Sequence, residues 1–466
     1  MTIIAFPDRG VAPTVPGLPI RLTCTGCGHQ LPVDAPLRLR CPMARAGDDI
    51  DHVLARSIDP VALRFPVDGE PNPFVRFRQL LYGYHLARAA GHGDDDIAAT
   101  IAALDRSVAA VDGSGFRITP FTRSPRLSRR LGFTAPGGVW AKDETGNVSG
   151  SHKARHLFGT LLGLQLAGAE STAPLAIASC GNAALAAAVV ARAAERELLV
   201  FIPPEAPPTV VARLRELRAR IEVCERVPGA AGDPTYERLR QVVEEGATPF
   251  TCQGSLNGLA IEGGMTLGWE IVADLAREHR RLDHLVVQVG GGALASAVVA
   301  AFEEARELGV IAALPRFHSV QSASVHPLQR AHARLSAELG PDPSPADVDR
   351  ALTGAAHHRS RYMWPWETTP HSVASGILDD ETYDWLAVMR GMLRTGGVPL
   401  VVDEPGLRAA NRLARRAAES DVDHTGSAGL AGLMELVRTG AIGADESVAV
   451  IFTGVRRTPP ADGAQP

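Results

Sequence analysis

From Val139 to about residue 452, short runs of apolar residues alternate with longer amphipathic stretches, and glycine-rich turns separate them. The apolar runs predict strands over residues 175–178, 198–202, 221–224, 249–251, 284–289, 316–320, 399–402 and 447–452, after a first one at Val139. The stretches between them have helical spacing. Continuously apolar strands joined by helices are typical of parallel sheets covered on both faces. The pattern therefore predicts an α/β fold.

The chain before Val139 has a different pattern. Residues 1–20 are rich in proline and glycine and predict a loose arm. Residues 72–110 have apolar residues at helical spacing and predict two helices, separated at 91–93. Residues 118–135 predict a turn and a short helix. After the strand predicted at 316–320, residues 321–370 predict less regular structure, with a break at 340–345. The aromatic cluster at 362–366 is interpreted as a packing feature.

Composition narrows the class of protein. The 466 residues include 45% hydrophobic and 21% charged residues, as expected for a large globular core. A net charge of −5 argues against a general nucleic-acid surface. We find neither a run of about 20 apolar residues nor a secretory signal pattern, so we expect no membrane span and a cytoplasmic location. The six cysteines do not suggest a disulfide framework.

Three of the cysteines form a pattern near the start of the chain. Cys24 and Cys27 make a C-x-x-C, and Cys41 is followed by proline, which is how half of a zinc ribbon begins. The expected fourth cysteine is absent, because Ala44 stands at that place. A nearby residue such as His52 could substitute for it. On the sequence alone we favour a ribbon that has lost its zinc over a metal site.

The chain has only two lysines, Lys142 and Lys153, among 47 basic side chains. Arginine stays charged and cannot form an imine, whereas a lysine amine can be tuned to attack a carbonyl. Lys153 lies in the loop S-G-S-H-K, at the start of a predicted helix over 154–167. We therefore interpret Lys153 as a chemical residue. The alternatives are an ordinary lysine of a helix first turn and a bias in composition.

Four features are expected at strand-to-helix turns, where open α/β sheets build their sites. They are Lys153, the turn S-C-G-N that ends in Asn182, the run Gly290, Gly291, Gly292, Ala293 and Leu294, and the pair Thr453 and Gly454. A glycine run before a helix can form an anion nest, and a phosphate is its natural guest. Neither a Walker loop nor G-x-G-x-x-G is present. Close helix–strand packing is an equal alternative for the glycine run.

Together these features fit pyridoxal phosphate. Lys153 would hold the aldehyde as a Schiff base, and the nest of Gly290, Gly291, Gly292, Ala293 and Leu294 would hold the phosphate. Asn182 would contact the ring oxygen and Thr453 the ring nitrogen. Bound in this way, the cofactor is an electron sink for a carbanion at the substrate Cα.

The motifs resemble those of the tryptophan synthase β / threonine synthase superfamily, the fold-type II pyridoxal-phosphate enzymes. The stretch W-A-K-D-E-T-G-N-V-S-G-S-H-K-A-R is similar to the family's lysine motif, S-C-G-N to its S-S-G-N loop and G-G-G-A-L to its G-G-G-G-L loop. The segment I-E-G-G-M-T-L-G-W-E-I and the N-terminal C-x-x-C-G…C-P resemble threonine synthases. The resemblance implies two open parallel-sheet α/β domains with the cofactor between them, and a homodimer.

The resemblance also implies a division of the chain. We expect an N-terminal extension over residues 1–115, a catalytic core of two α/β subdomains over 116–457 and a disordered tail over 458–466. Two departures bear on the reaction. His152 is the residue typical of tryptophan synthase, where threonine synthases usually carry phenylalanine. The neutral hydroxyl of Thr453 would leave the pyridine nitrogen unprotonated, which suits elimination of a β-substituent.

The sequence therefore predicts a lyase acting on a small hydroxy- or phospho-amino acid, similar to threonine synthase or serine/threonine dehydratase. Lys153 would remove the Cα proton. Ser179, Cys180 and Gly181 would receive the substrate carboxylate, with Cys180 a small filler, and Arg155 and Ser149 are candidates for a substrate phosphate. Two alternatives stay open: a β-replacement synthase of a specialised amino acid, and a non-catalytic module that binds a phosphorylated ligand.

Overall fold

The computed structural model describes residues 17–169, 171–226 and 233–457. Most of the predicted arm (1–20) and the whole predicted tail (458–466) lie outside these ranges. The described chain begins with an antiparallel strand pair and three helices: β1 (Ile20–Cys24), β2 (Leu54–Ile58), α1 (Pro73–Arg76), α2 (Tyr82–Ala89) and α3 (Asp94–Asp112). The predicted break between two helical regions is present, but the first region is further divided by a 3-10 turn at Arg78–Leu80.

The remaining elements alternate as the apolar pattern predicts. They are β3 (Phe121–Arg123), α4 (Pro125–Arg130), β4 (Gly138–Asp143), α5 (Lys153–Leu166), β5 (Leu175–Ala178), α6 (Asn182–Ala193), β6 (Leu198–Ile202), α7 (Pro208–Glu216), β7 (Arg220–Val223), α8 (Pro234–Glu244), β8 (Thr248–Pro249), α9 (Gly258–Arg277), β9 (His284–Gln288), α10 (Ala293–Glu307), β10 (Arg316–Ser322), α11 (Pro327–Leu339), α12 (Pro345–His357), α13 (Arg359–Tyr362), α14 (Trp385–Thr395), β11 (Pro399–Val402), α15 (Glu404–Ala417), α16 (Ala428–Arg438) and β12 (Ser447–Phe452).

The strands form two open sheets. The larger has the order β11-β10-β9-β12-β4-β3, and all its neighbouring pairs are parallel except the antiparallel edge strand β3. The smaller has the order β7-β6-β5-β8 and is parallel throughout. Helices join successive strands in both sheets. The prediction of an α/β fold with two parallel sheets is confirmed.

Helix α9 is the central buried helix, and it packs against α5 and α10. A Cβ built on Gly159 of α5 would lie 2.4 Å from the Cα of Gly263 in α9, so the two helix backbones touch at this point. Only glycine permits this approach on both sides. The contact fixes α5, whose first residue is Lys153, against the core.

The prediction of irregular structure over residues 321–370 is wrong, because α11 and α12 occupy much of it. Helix α12 begins with a capping box, in which Ser344 Oγ accepts from the Asp347 N–H and the Asp347 carboxylate accepts from the Ser344 N–H at 3.0 Å. Both helices are amphipathic and bury only four residues each: Pro327, Leu328, Ala331 and Leu335 in α11, and Val348, Leu352, Ala355 and Ala356 in α12. The predicted break over 340–345 is the turn between them. The described residues include no helix long and apolar enough to cross a membrane.

Candidate active site

Three of the four predicted turns lie side by side in the larger sheet. Strands β9, β12 and β4 are neighbours, and their carboxyl ends lead to the glycine run, to Thr453 and to the Lys153 loop. The fourth turn, S-C-G-N, follows β5 of the smaller sheet. Carboxyl ends of parallel strands in one sheet meet at the same edge. The fold thus gathers three of the features, and the smaller sheet supplies the fourth from the facing side.

Lys153 is the first residue of α5, and its side chain is half-buried. Its amine has no hydrogen-bond partner among the described residues. Its charge nevertheless acts to lower the pKa values of the carboxyl groups of Asp379 and Asp384 and of the thiol of Cys252. Lys153 is therefore an amine without a hydrogen-bond partner among the described residues, and its charge acts on the carboxyl groups of the buried Asp384 and the half-buried Asp379.

Burial dominates the electrostatics of these two carboxyl groups. It raises the pKa of Asp384 to about 8, and the hydrogen bond from the Gly254 N–H and the Lys153 ammonium oppose the shift. Burial likewise raises the pKa of Asp379 to about 6, against the attraction of Lys153 and a hydrogen bond from the Gly291 N–H. Asp384 is therefore protonated at neutral pH. A protonated carboxyl next to an amine can act as a proton donor.

The glycine run, predicted to be an anion nest, leads from β9 into α10. Gly292 has a φ of +97° and opens α10, a conformation that favours glycine. The Gly291 N–H donates to the Asp379 carboxyl, and a Cβ built on Gly290 would lie 2.3 Å from Oδ2 of Asp379. The first N–H groups of α10, from Ala293 and Leu294, have no acceptor within the helix. An acidic oxygen thus already lies at the predicted anion nest.

The hydroxyl of Thr453 lies at the end of β12 and is 3% exposed. Its Oγ1 accepts from the His152 backbone N–H at 3.0 Å and lies 2.7 Å from Nδ1 of the same histidine. Burial, with the nearby Lys153 charge, lowers the pKa of His152 well below its usual value, so the ring is neutral at pH 7. Thr453, which is predicted to face the cofactor ring nitrogen, is therefore hydrogen-bonded to His152, the residue before Lys153.

Asn182 begins α6 and faces the end of β12. Its Oδ1 accepts a hydrogen bond from Arg457, its amide nitrogen lies close to Gly454, and its side chain bonds the Asp423 carboxyl. Arg457 also donates to the backbone oxygen of Ser149 at 2.8 Å. Asn182 is therefore held among residues from both sheets. This position agrees with a contact to a ligand between the sheets, while the role at the ring oxygen stays a prediction.

The predicted carboxylate loop lies just before α6. Ser179 Oγ accepts from the Gly181 N–H at 3.4 Å, which closes a tight turn at the helix N-terminus. Burial raises the pKa of Cys180, and the carboxylates of Glu205, Asp233 and Asp379 add to the shift. The thiol is therefore un-ionised at neutral pH, in line with its interpretation as a filler.

Arg155, a candidate for the substrate phosphate, is used elsewhere. It is fully buried and pairs with Glu144 at 2.8 Å and with Glu270 at 2.6 Å. The other lysine, Lys142, is also fully buried; it pairs with Glu270 and donates to the backbone oxygen of Thr119 at 2.8 Å. These residues form one buried ion network between β4, α5 and α9. The assignment of Arg155 to a substrate phosphate is therefore wrong. Of the two lysines of the chain, Lys142 is a paired residue of the core, and Lys153 has no hydrogen-bond partner among the described residues.

Several buried polar atoms around Lys153 have no hydrogen-bond partner among the described residues. They belong to three segments, namely the loop before Lys153, the loop after β8 and the start of α14, and are Asn147 Oδ1, Ser149 Oγ, Ser151 Oγ, His152 Nε2, Gln253 Oε1, Ser255 Oγ, Asn257 Oδ1, Asp384 Oδ1 and Trp385 Nε1. Buried polar groups are rarely left unpaired in a protein. Together with the anion nest and the unpartnered amine, they fit a polar cofactor such as pyridoxal phosphate.

Sequence reasoning missed four residues of this site: His156, Asp379, Asp384 and Arg457. The acidic pair L-D-D before α14 was visible, but it lay next to a stretch predicted to be irregular. His156 is fully buried one turn after His152, and its Nδ1 lies 2.7 Å from the Ala260 oxygen. Arg457 lay at the edge of the predicted tail. Asp379, Asp384 and Arg457 have no local motif, and only the fold brings them to the site, whereas His156 follows Lys153 by three residues on α5 and was visible in the sequence.

Comparison with known proteins identifies the family. The model of the pyridoxal-phosphate dependent enzyme family matches residues 114–454. A threonine synthase of Methanosarcina acetivorans is 24% identical over 336 residues, which is 72% of this chain and 74% of that protein. The tryptophan synthase β chain of Methylobacterium radiotolerans is 27% identical over 222 residues, 44% of this chain and 53% of that one.

Solved structures share the fold. A threonine deaminase from Solanum lycopersicum superposes with a TM-score of 0.54 at 16% identity, covering 79% of this chain and 91% of that one. Maize serine racemase gives a TM-score of 0.54 at 18% identity, with 77% and 94% covered. At these identities the likeness shows the fold alone. The family match covers most of the chain and includes Lys153 and the three turns around it, and the chain belongs to the pyridoxal-phosphate dependent enzyme family.

Proposed function

We propose that the chain is a lyase that carries out β-elimination on a small hydroxy- or phospho-amino acid. The observation that carries the proposal is the unpartnered Lys153 amine, whose charge acts on two carboxyl groups with raised pKa values, those of Asp379 and Asp384. An elimination needs a base at Cα and, for a hydroxyl leaving group, an acid at the β-oxygen. This cluster offers both. The curated relatives named threonine synthase and threonine dehydratase support the same class.

The cofactor, when bound, supplies an electron sink for the charge that develops at Cα. Lys153 would hold it and then remove the Cα proton with its amine. The backbone N–H groups of the run Gly290, Gly291, Gly292, Ala293 and Leu294, which leads into α10, would bind the phosphate. Asn182 and Thr453 would orient the ring. Ser179, Cys180 and Gly181, at the N-terminus of α6, would bind the substrate carboxylate through backbone donors.

The leaving group follows from the charges around Lys153. Hydroxide leaves poorly unless it is protonated, whereas phosphate leaves without a proton. Asp384 is protonated at neutral pH because burial raises its pKa to about 8. Arg155, in contrast, is bound in the buried ion network and offers no donor to a phosphate. Within the proposal we therefore favour a hydroxy-amino acid over a phospho-amino acid, with Asp384 as the proton donor to the β-oxygen.

A second candidate is β-replacement, in which an incoming nucleophile takes the place of the leaving group. The observation that favours it is His152, whose buried Nε2 has no partner among the described residues. A neutral histidine next to the lysine could accept a hydrogen bond from a nucleophile and orient it. The match to a tryptophan synthase β chain supports this alternative. The interpretation as a non-catalytic binding module is set aside, because the chain belongs to an enzyme family.

The test compares substrates and products with the purified holoenzyme. L-Serine, L-threonine and O-phospho-L-serine would be added separately, with keto acid and ammonia measured against amino acid formed. The Lys153→Ala variant is the control. Keto acid and ammonia from a hydroxy-amino acid would support the proposal. Turnover of the phosphorylated substrate alone, or a new amino acid formed only with an added nucleophile, would contradict the favoured version.

Three further parts of the proposal rest on the sequence and the family resemblance. They are the division into an extension over 1–115 and a core over 116–457, a homodimeric assembly and a cytoplasmic location. Size-exclusion chromatography with light scattering tests the dimer. Limited proteolysis near residue 115 tests the division.

A further inference from the structure

The N-terminal strand pair brings four potential metal ligands together. Cys24 ends β1, Cys27 lies in the turn that follows, and Cys41 and His52 come from the segment that leads back to β2. Three sulfur atoms and one imidazole nitrogen lie within 4.8 Å of one another. The Sγ of Cys24 is 3.4 Å from Nδ1 of His52, and the Sγ of Cys27 is 3.7 Å from that of Cys41.

These distances match the edges of a tetrahedral zinc site. With Zn–S bonds of about 2.3 Å and a Zn–N bond of about 2.0–2.1 Å, neighbouring ligand atoms lie roughly 3.8 Å (S···S) and roughly 3.6 Å (S···N) apart. All six cysteines of the chain are free, so no disulfide competes for these thiols. A set of three thiolates and one imidazole selects zinc over the harder divalent cations.

The surroundings of His52 are those of a metal-binding histidine. Its second ring nitrogen, Nε2, lies 3.2 Å from Oδ2 of Asp48. Asp48 is fixed in turn, because its carboxylate accepts from the backbone N–H groups of Arg45 at 3.0 Å and Ile50 at 3.3 Å. A carboxylate on Nε2 directs Nδ1 toward the cysteines and increases its basicity as a ligand. The Cys27 N–H also points at the Cys24 sulfur, at 3.5 Å.

We propose that Cys24, Cys27, Cys41 and His52 bind one structural zinc ion, with Asp48 as the residue that positions His52. His52 replaces the fourth cysteine that the C-x-x-C…C-P pattern lacks. Four protein ligands close the coordination sphere and leave no position for a substrate, so the role is structural. Cys24 and Cys41 are buried, and the side chain of His52 is 7% exposed.

The proposed zinc site is linked to the candidate active site by a short series of contacts that begins at Asp51. Asp51, next to His52, donates its N–H to the Ala356 oxygen at 2.7 Å, and its carboxylate pairs with Arg359 at 3.2 Å. Arg359 in turn pairs with Glu381, between Asp379 and Asp384. A bound zinc ion would therefore fix one end of the series of ion pairs, from Asp51 through Arg359 to Glu381, that leads to the segment of Asp379 and Asp384.

The experiment measures metal on the purified full-length holoenzyme after extensive dialysis against a weak chelator. We expect about one zinc per chain by mass spectrometry of the elements, and loss of that zinc in Cys27→Ser and Cys41→Ser. Cys224→Ser is the matched control, because Cys224 lies outside the cluster and should leave the zinc content unchanged. Substituted cobalt(II) should give the visible and near-ultraviolet bands of tetrahedral thiolate coordination.

A variant that keeps all four ligands guards against misfolding. Asp48→Asn removes only the carboxylate behind His52, and we expect zinc affinity to fall by about 10–100-fold while the fold is retained. Competition with a chromogenic chelator measures the zinc affinity, and circular dichroism measures whether the fold is retained. The proposal is overturned if dialysed wild type holds no stoichiometric metal and does not take up cobalt with thiolate bands, or if Cys27→Ser and Cys41→Ser retain as much zinc as wild type.

Discussion

The hydroxyl oxygen of Thr453 lies 2.7 Å from Nδ1 of His152 and accepts a hydrogen bond from the backbone N–H of the same residue. A neutral imidazole carries one proton, on either Nδ1 or Nε2. If Nδ1 carries it, the ring donates to Thr453, and the hydroxyl proton stays free for the cofactor ring nitrogen. The role predicted for Thr453 therefore requires the Nδ1–H form of His152, which leaves Nε2 as an acceptor.

Replacing Thr453 with valine should weaken both the fold and cofactor binding. The change removes the acceptor for the buried His152 N–H, and an unpaired buried donor costs about 1–3 kcal/mol of unfolding free energy. Loss of one hydrogen bond to the ring should weaken pyridoxal phosphate binding by roughly tenfold. Urea unfolding and cofactor titration by absorbance measure the two effects. Thr453→Ser keeps the hydroxyl and should behave as wild type; equal behaviour of valine and wild type would refute the role.

Replacing Lys153 with arginine separates its charge from its chemistry. Arginine keeps a cation beside Asp379 and Asp384 but cannot form an imine. We expect the visible absorbance band of the lysine-bound cofactor to vanish and the turnover number to fall by about 10²–10⁴-fold. Stability should be closer to wild type than in Lys153→Ala, which also removes the charge. A retained visible band in Lys153→Arg would exclude this residue as the attachment point.

Asp384 should make stability fall as pH rises. Its pKa is about 8 in the folded protein because of burial, against about 3.9 in an unfolded chain. Between these values the folded state keeps a proton that the unfolded state has lost. The unfolding free energy then decreases with pH, by at most about 1.4 kcal/mol per pH unit from this one group.

Asp384→Asn should remove that contribution while keeping an oxygen for the Gly254 N–H. Urea unfolding of cofactor-free wild type and variant at pH 5, 6 and 7 provides the comparison. The difference between the two proteins isolates Asp384 from the other groups that titrate. Parallel pH profiles would show that Asp384 ionises normally and is no proton donor.

The buried ion network should be sensitive to the loss of one member. Glu270→Gln removes the charge that faces both Lys142 and Arg155, all three of which are fully buried. An unbalanced buried charge costs about 3–5 kcal/mol. Glu419→Gln is the matched control, since it breaks an exposed pair with Arg126 and should cost about 0–1 kcal/mol. Equal destabilisation of the two variants by urea would show that burial of the network adds nothing.

The sequence alone predicted the α/β class, the order of most strands and helices, and the four turns that carry Lys153, Asn182, the glycine run and Thr453. These features are local. A continuous apolar run predicts a buried strand whatever lies elsewhere in the chain, and a glycine turn before a helix predicts an anion nest by its own backbone geometry. Helices α11 and α12 were missed because their apolar faces are narrow, and packing rather than local pattern stabilises them.

Only the tertiary structure decided which polar residues are paired in the core and which remain available for chemistry. Arg155 looks like a phosphate ligand in the motif. In the fold its guanidinium donates instead to the carboxylates of Glu144 and Glu270, which are distant from each other in sequence. Asp384 looks like an ordinary surface carboxyl, yet burial beside Lys153 keeps it protonated. Charge, burial and pairing depend on neighbours from other elements. The sequence by itself therefore determined the elements and the candidate lysine, and the folded chain determined the ionisation and availability of the groups around it.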